Sequence, residues 1–121
     1  MDQAALVSFD IEKAKRVIDT LDCSGHPPEV ALWALLPQYD EWRFVLSSSR
    51  IHGYEEMVEQ LRNAGVMPNS PPSIYLREIS DPFITQLREK YAGLNPEIGY
   101  RISSQYFGRQ YVDEAYVYRI R

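Results

Sequence analysis

Two apolar runs separated by a short polar break dominate the chain: Val30 to Leu36 and Trp42 to Leu46. In the first, Val30, Leu32, Ala34 and Leu36 alternate with Ala31, Trp33 and Leu35. A strand here is apolar on both faces, and such strands sit inside covered sheets. Pro37 ends it, Gln38, Tyr39 and Asp40 make a turn, and a second strand runs from Glu41 to about Ser47. A four-residue loop from Pro37 to Asp40 sets Leu35 opposite Trp42, Trp33 opposite Phe44 and Ala31 opposite Leu46. The other face pairs Leu32 with Val45 and Ala34 with Arg43. A slip of one residue would turn Trp42 and Phe44 to the opposite side, so the pattern selects this register.

Elsewhere the apolar spacing changes to that of helices. Ile11, Ala14, Val17, Ile18 and Leu21 form one stripe, which predicts a helix from Ser8 or Phe9 to about Asp22. Ser8 or Asp10 could cap it; Ser24-Gly25 and Pro27-Pro28 end it. Tyr54, Met57, Val58 and Leu61 predict a second buried stripe on a helix over 52–64, with Gly65 just past its end. After the stiff Pro68–Pro72 connection, a strand is expected over 73–79, with Ile74 and Leu76 on one face and Tyr75, Arg77 and Ile79 on the other. Ser80-Asp81-Pro82 then starts a third helix, with Phe83, Ile84, Leu87 and Tyr91 inward and Gly93 closing it. The last quarter alternates β-branched and aromatic residues over 98–103 and 111–120, with a turn near Gly108. Simple alternation puts Tyr116, Tyr118 and Ile120 on one face and Ala115, Val117 and Arg119 on the other.

The resulting order is α-β-β-α-β-α-β-β: a single α+β domain with three helices on a mixed sheet of about five strands. The helix over 52–64 links two strands and can serve as the crossover of a parallel pair, which would be right-handed. At 121 residues the chain has the length of one domain. It buries roughly two-thirds of its unfolded surface, enough for a core without staples.

Charge and cysteine usage narrow the classes. The net charge is −4, which argues against a protein whose main work is binding nucleic acid or an anionic membrane. Cys23 is the lone cysteine, so no disulfide forms within the chain and a reducing, cytoplasmic setting is the simplest expectation. No apolar run approaches the roughly 20 residues of a membrane span, and no basic, apolar leader opens the sequence.

Candidate chemistry is thin. One cysteine and two separated histidines, His26 and His52, give no zinc spacing. A Cys23–His26 nucleophile pair would sit at a helix C-terminus, whose negative end raises a thiol pKa. Ser47–Arg50 precedes a helix but lacks the glycine-rich loop of a phosphate site, so a cap is the plainer reading. No cofactor and no catalytic residue is implied. The one compositional oddity is aromatic: of nine tyrosines, six fall between Tyr91 and Tyr118, interleaved with Arg101, Arg109 and Arg119. Tyrosine offers large contact area at small entropic cost. The candidate interaction surface is therefore the strand around Tyr111, Tyr116, Tyr118 and Arg119, taken to expose an open edge, with Tyr39 and Trp42 as a second patch. The expected partner is another protein or a second copy. The same Tyr/Arg alternation would also suit single-stranded nucleic acid, provided Arg101, Arg109, Arg119 and Arg121 form one positive face.

Two resemblances follow from the hairpin. Helix–strand–strand–helix–strand with Glu41-x-Arg43 on a strand loosely resembles nucleases of the restriction-endonuclease-like superfamily, in which acids hold a divalent metal. That implies a phosphodiester hydrolase using Glu29, Asp40 and Glu41, although Arg43 replaces the expected lysine. The string from Ala31 to Ser48, an apolar strand with Trp and a Leu-Pro ending followed by Glu-Trp-Arg and another apolar strand, resembles small bacterial proteins of uncharacterised function. This likeness covers about the first 50 residues. It implies a bacterial, cytoplasmic origin and carries over no activity.

Overall fold

The computed structural model describes residues 8–39, 41–65, 74–92 and 99–121. Asp40, the Pro68–Pro72 connection, Gly93 and the side chains of Ser8 and Asp10 lie outside the described residues. The elements follow the expected order: α1 (Ser8–Cys23), β1 (Val30–Leu36), β2 (Glu41–Ser47), α2 (Tyr54–Asn63), β3 (Ile74–Leu76), α3 (Pro82–Tyr91), β4 (Tyr100–Phe107) and β5 (Gln110–Ile120). Among the described residues no helix is long and apolar enough to cross a membrane.

The five strands form one sheet in the order β3-β2-β1-β5-β4. β1 lies at its centre and is buried along its whole length, as its double-sided apolar pattern requires. β1 and β2 pair antiparallel with Leu35 opposite Trp42, Trp33 opposite Phe44 and Ala31 opposite Leu46, the register read from the pattern. β2 and β3 are parallel, joined through α2. β5 pairs antiparallel with both β1 and β4.

Each face has its own core. One is Ala31, Trp33, Phe44, Leu46 and Tyr118 under α1 and α2, which contribute Ala14, Val17, Leu21, Met57 and Leu61. The other is Val30, Leu32, Val45, Val117 and Ile120 with Phe83, Ile84, Leu87 and Tyr91 from α3. Trp42 packs against the first core beside Trp33 and Phe44. α3 starts as its sequence dictates: the Asp81 carboxylate accepts from the Phe83 N–H at 2.9 Å, and Pro82 occupies the first helical position.

Four expectations change. The third strand keeps only Ile74–Leu76 in the ladder; one further bond, Arg77 N–H to the Leu46 carbonyl, ends it before a turn at Glu78–Asp81. Tyr54 is half-exposed because α2 begins at that residue, which stands at the mouth of a cavity instead of over the sheet. The fourth strand extends to Phe107, leaving Gly108-Arg109 as a two-residue turn, with Gly108 at φ +65°. Finally, Ile120 and Arg119 exchange faces. The β1–β5 register shifts between Ala31, opposite Arg119, and Leu32, opposite Val117, leaving Tyr118 as an extra residue in β5. This bulge sends Ile120 to the α3 core and Arg119 to the α1 side.

A second irregularity bends the outer ribbon. On β4, Ile102 and Phe107 both enter the α3 core, and on β5 so do Val112 and Ala115. Odd spacings mean that both strands swap faces, and they do so at the same level, where the Ser104–Asp113 position is missing from the ladder and Ser104 adopts φ +42°. Beyond this kink the hairpin folds over α3, with Phe107 against Phe83 and Tyr91.

Candidate functional site

Among the described residues, the Tyr/Arg ribbon of β4 and the outer half of β5 is left uncovered by α1 and α2. α1 and α2 cover β1, β2 and the bulge of β5, and their core takes in neither β4 nor the outer half of β5. Rings and guanidinium on that face order one another. Tyr106 and Tyr111 are cross-strand partners with centroids 4.8 Å apart, and Arg101 lies 5.3 Å over the ring of Tyr116. Among the described residues Tyr106 is the most exposed large aromatic, at 68%, and Tyr100 is exposed nearby.

Of the residues singled out from sequence, Tyr111 and Tyr116 belong to this face, each half-buried, and Tyr116 also packs against the edge of the α1/α2 core. Tyr118 does not: it is buried, its ring meets Phe44 edge-on, and its hydroxyl donates to the Ile11 carbonyl at 2.6 Å. Arg119 turns inward at the bulge and forks onto both Asp22 carboxylate oxygens at 2.9 Å, donating also to the Pro28 carbonyl. β5 is not an edge strand, because β1 and β4 occupy both of its sides; among the described residues the long open edge is β4. Tyr106 was missed because β4 extends past the expected end; Arg101 lies within the expected strand and was considered only for nucleic acid. The signal was present in the Phe107-Gly108 step, which requires β4 to reach the turn.

The second patch, Tyr39 and Trp42, is divided by the sheet. Trp42 serves the α1/α2 core, whereas Tyr39 packs on the opposite face and donates to the Tyr75 hydroxyl. Arg43 lies over the Tyr39 ring and Arg77 over the Tyr75 ring, at 4.5 and 4.6 Å. Burial and the Tyr39 hydrogen bond push the Tyr75 hydroxyl pKa upward, so Tyr75 remains neutral.

The metal-dependent reading fails on distance. Glu29 precedes β1, where its carboxylate accepts from the Ser49 N–H and hydroxyl. Glu41 opposes Leu36 at the far end of β1 and pairs with Arg43 at 3.0 Å. The length of β1 separates the two acids by roughly 20 Å at about 3.3 Å per residue. Asp40 lies outside the described residues. Among the described residues no three acidic, histidine or cysteine side chains gather in a metal-holding cluster.

The other candidates resolve into local structure. His26 directs one ring nitrogen to Ser24 and the other to Glu56, away from the exposed thiol of Cys23. Ser48 donates to the Pro27 carbonyl and accepts from the Arg50 N–H. Above the carboxyl ends of β2 and β3 lies a cavity of about 520 Å³, floored by Ile51, Leu76 and Ile79 and rimmed by His52, Tyr54 and Arg77. Acids already engage two of its donors: Glu56 accepts from the backbone N–H of His52 just before α2, and Asp81 pairs with Arg77 at 2.6 Å.

The arginines required for nucleic acid are dispersed. Arg109 sits in the hairpin turn at one end of β5, and Arg119 and Arg121 lie at the other end, the former neutralised by Asp22. Compared with protein families, curated proteins and solved structures, the chain matches none.

Proposed function

We propose that this protein is a non-catalytic interaction module that docks another polypeptide on the open edge of β4 and the Tyr/Arg face beside it. A bacterial, cytoplasmic setting, implied by the hairpin resemblance, belongs to the same proposal. The observation that carries it is the pairing of two exposed features in one place. Among the described residues no strand lines the outer side of β4, and Tyr106, Tyr111, Tyr116 and Arg101 stand together on the adjoining face. Unpaired N–H and C=O groups supply affinity to an added strand, and tyrosine and arginine are the residues that dominate interface energetics.

Affinity capture from the host, with the bound protein identified by mass spectrometry, tests it. The wild-type chain is expected to retain a partner that R101A/Y106A loses. A partner held equally by both would remove this surface from consideration. Both side chains are exposed, so the double variant is expected to fold as the wild type does.

A further inference from the structure

We infer that the strand accepted by β4 is β4 of a second copy of this chain, paired antiparallel about a two-fold axis between Ser103 and Ser104. This inference rests on the docking surface proposed above and names its occupant.

The kink selects the occupant. β5 follows β4 through Ser104 only because β5 swaps faces at the same level. A straight extended peptide on the outer edge matches the side-chain faces of β4 on one side of the kink and opposes them on the other. A second β4 brings a kink of its own. Tyr100, Ile102, Gln105 and Phe107 point to the α3 side: Ile102 and Phe107 enter that core, Tyr100 meets the Tyr91 ring and Gln105 donates to the Tyr91 hydroxyl. Arg101 and Tyr106 point to the other side, where they meet Tyr116 and Tyr111. This order reads the same from either end. An antiparallel copy centred between Ser103 and Ser104 therefore sets Arg101 opposite Tyr106, Ile102 opposite Gln105 and Tyr100 opposite Phe107, like face to like face across the whole strand. Slipping the pairing register by one residue in either direction opposes these faces and breaks the match. The short alternative centred on residue 101 sets Arg101 against Arg101, a like-charge pair that is destabilising.

Charge placement agrees. Arg101 is the only charged residue of β4 and already lies over the Tyr116 ring. In the paired state it stands between Tyr116 and the partner's Tyr106, a cation flanked by two negative ring faces. The two Arg101 side chains lie well apart, on opposite sides of the axis.

The test is a charge swap read by light scattering coupled to size exclusion, with circular dichroism confirming the fold. Wild type is expected at twice the 14.1 kDa chain mass. Y106K sets lysine against Arg101 and is expected at the monomer mass. R101E/Y106K sets glutamate against lysine and is expected to return to the dimer. A wild type that stays monomeric at its highest soluble concentration overturns the inference, and so does a dimer that persists in Y106K or fails to return in the double variant. The capture experiment separates these failures from failure of the docking surface itself. Loss of a different bound protein in R101A/Y106A would leave the surface in place with another occupant.

Discussion

Arg119 stands where strict alternation along β5 would have pointed it to the α3 side, and its reversal creates the best-organised ion pair among the described residues. Both Asp22 oxygens receive a guanidinium N–H at 2.9 Å, clamping the last turn of α1 to the bulge. The hydrogen bond from Arg119 holds the Asp22 carboxyl below its ordinary 3.8, more than offsetting the opposing effect of burial. A depressed carboxylate pKa contributes stability that is present above the unfolded value and is lost as pH falls through the folded one. Asp22 is about one-third exposed, which screens the interaction. D22N is therefore expected to cost about 1 kcal/mol at neutral pH. In urea titrations at stepped pH, the gap between D22N and wild type should shrink once pH drops below 3.8. A gap that persisted after Asp22 became protonated would mean that the clamp acts by packing alone.

At the scale of elements, the β4–β5 hairpin bends so that one end completes the sheet and the other wraps α3. Ser104 bears the backbone cost. Its φ of +42° is left-handed, which costs a non-glycine residue roughly 1 kcal/mol and a β-branched residue more. S104G is expected to stabilise the protein by about 0.5–1 kcal/mol and S104V to destabilise it by about 1–2 kcal/mol. Both changes are measurable as shifts of the denaturation midpoint at constant m-value. The kink was not legible in the sequence. Seeing it requires knowing that Ile102 and Phe107 share a strand and a core, and the alternation of either half looks regular by itself. The elements themselves were more legible. The β1–β2 register, the buried stripes of α1 and α3, and the Asp81-Pro82 helix start depend on neighbours close in sequence.

Across the whole molecule, two cores share a single central strand. Every residue of β1 is buried, its side chains feeding the α1/α2 core and the α3 core by turns. Neither core survives without β1, so the protein is expected to unfold in one step, with tryptophan fluorescence and far-UV circular dichroism tracing coincident urea transitions. Phe44 is fully buried against Trp33 and Tyr118. F44A is expected to cost about 3–5 kcal/mol and to move both transitions together. Separate transitions would show that the α3 core holds its own foldon.

Periodicity within about twenty residues was sufficient to specify the helices, the strands and the central hairpin, because a side chain's face along one element is set by backbone geometry and a short turn sets the register of its neighbour. The location of the C-terminal strand was decided by long-range packing. β5 takes the free side of β1 instead of the rim, since eleven residues with apolar positions on both faces are best covered there. That placement made β4 the edge, turned Arg119 and Tyr118 inward at the bulge, and left Tyr106 beside Tyr111 in solvent. Exposure depends on which strands become neighbours, and one strand's alternation encodes only its two faces.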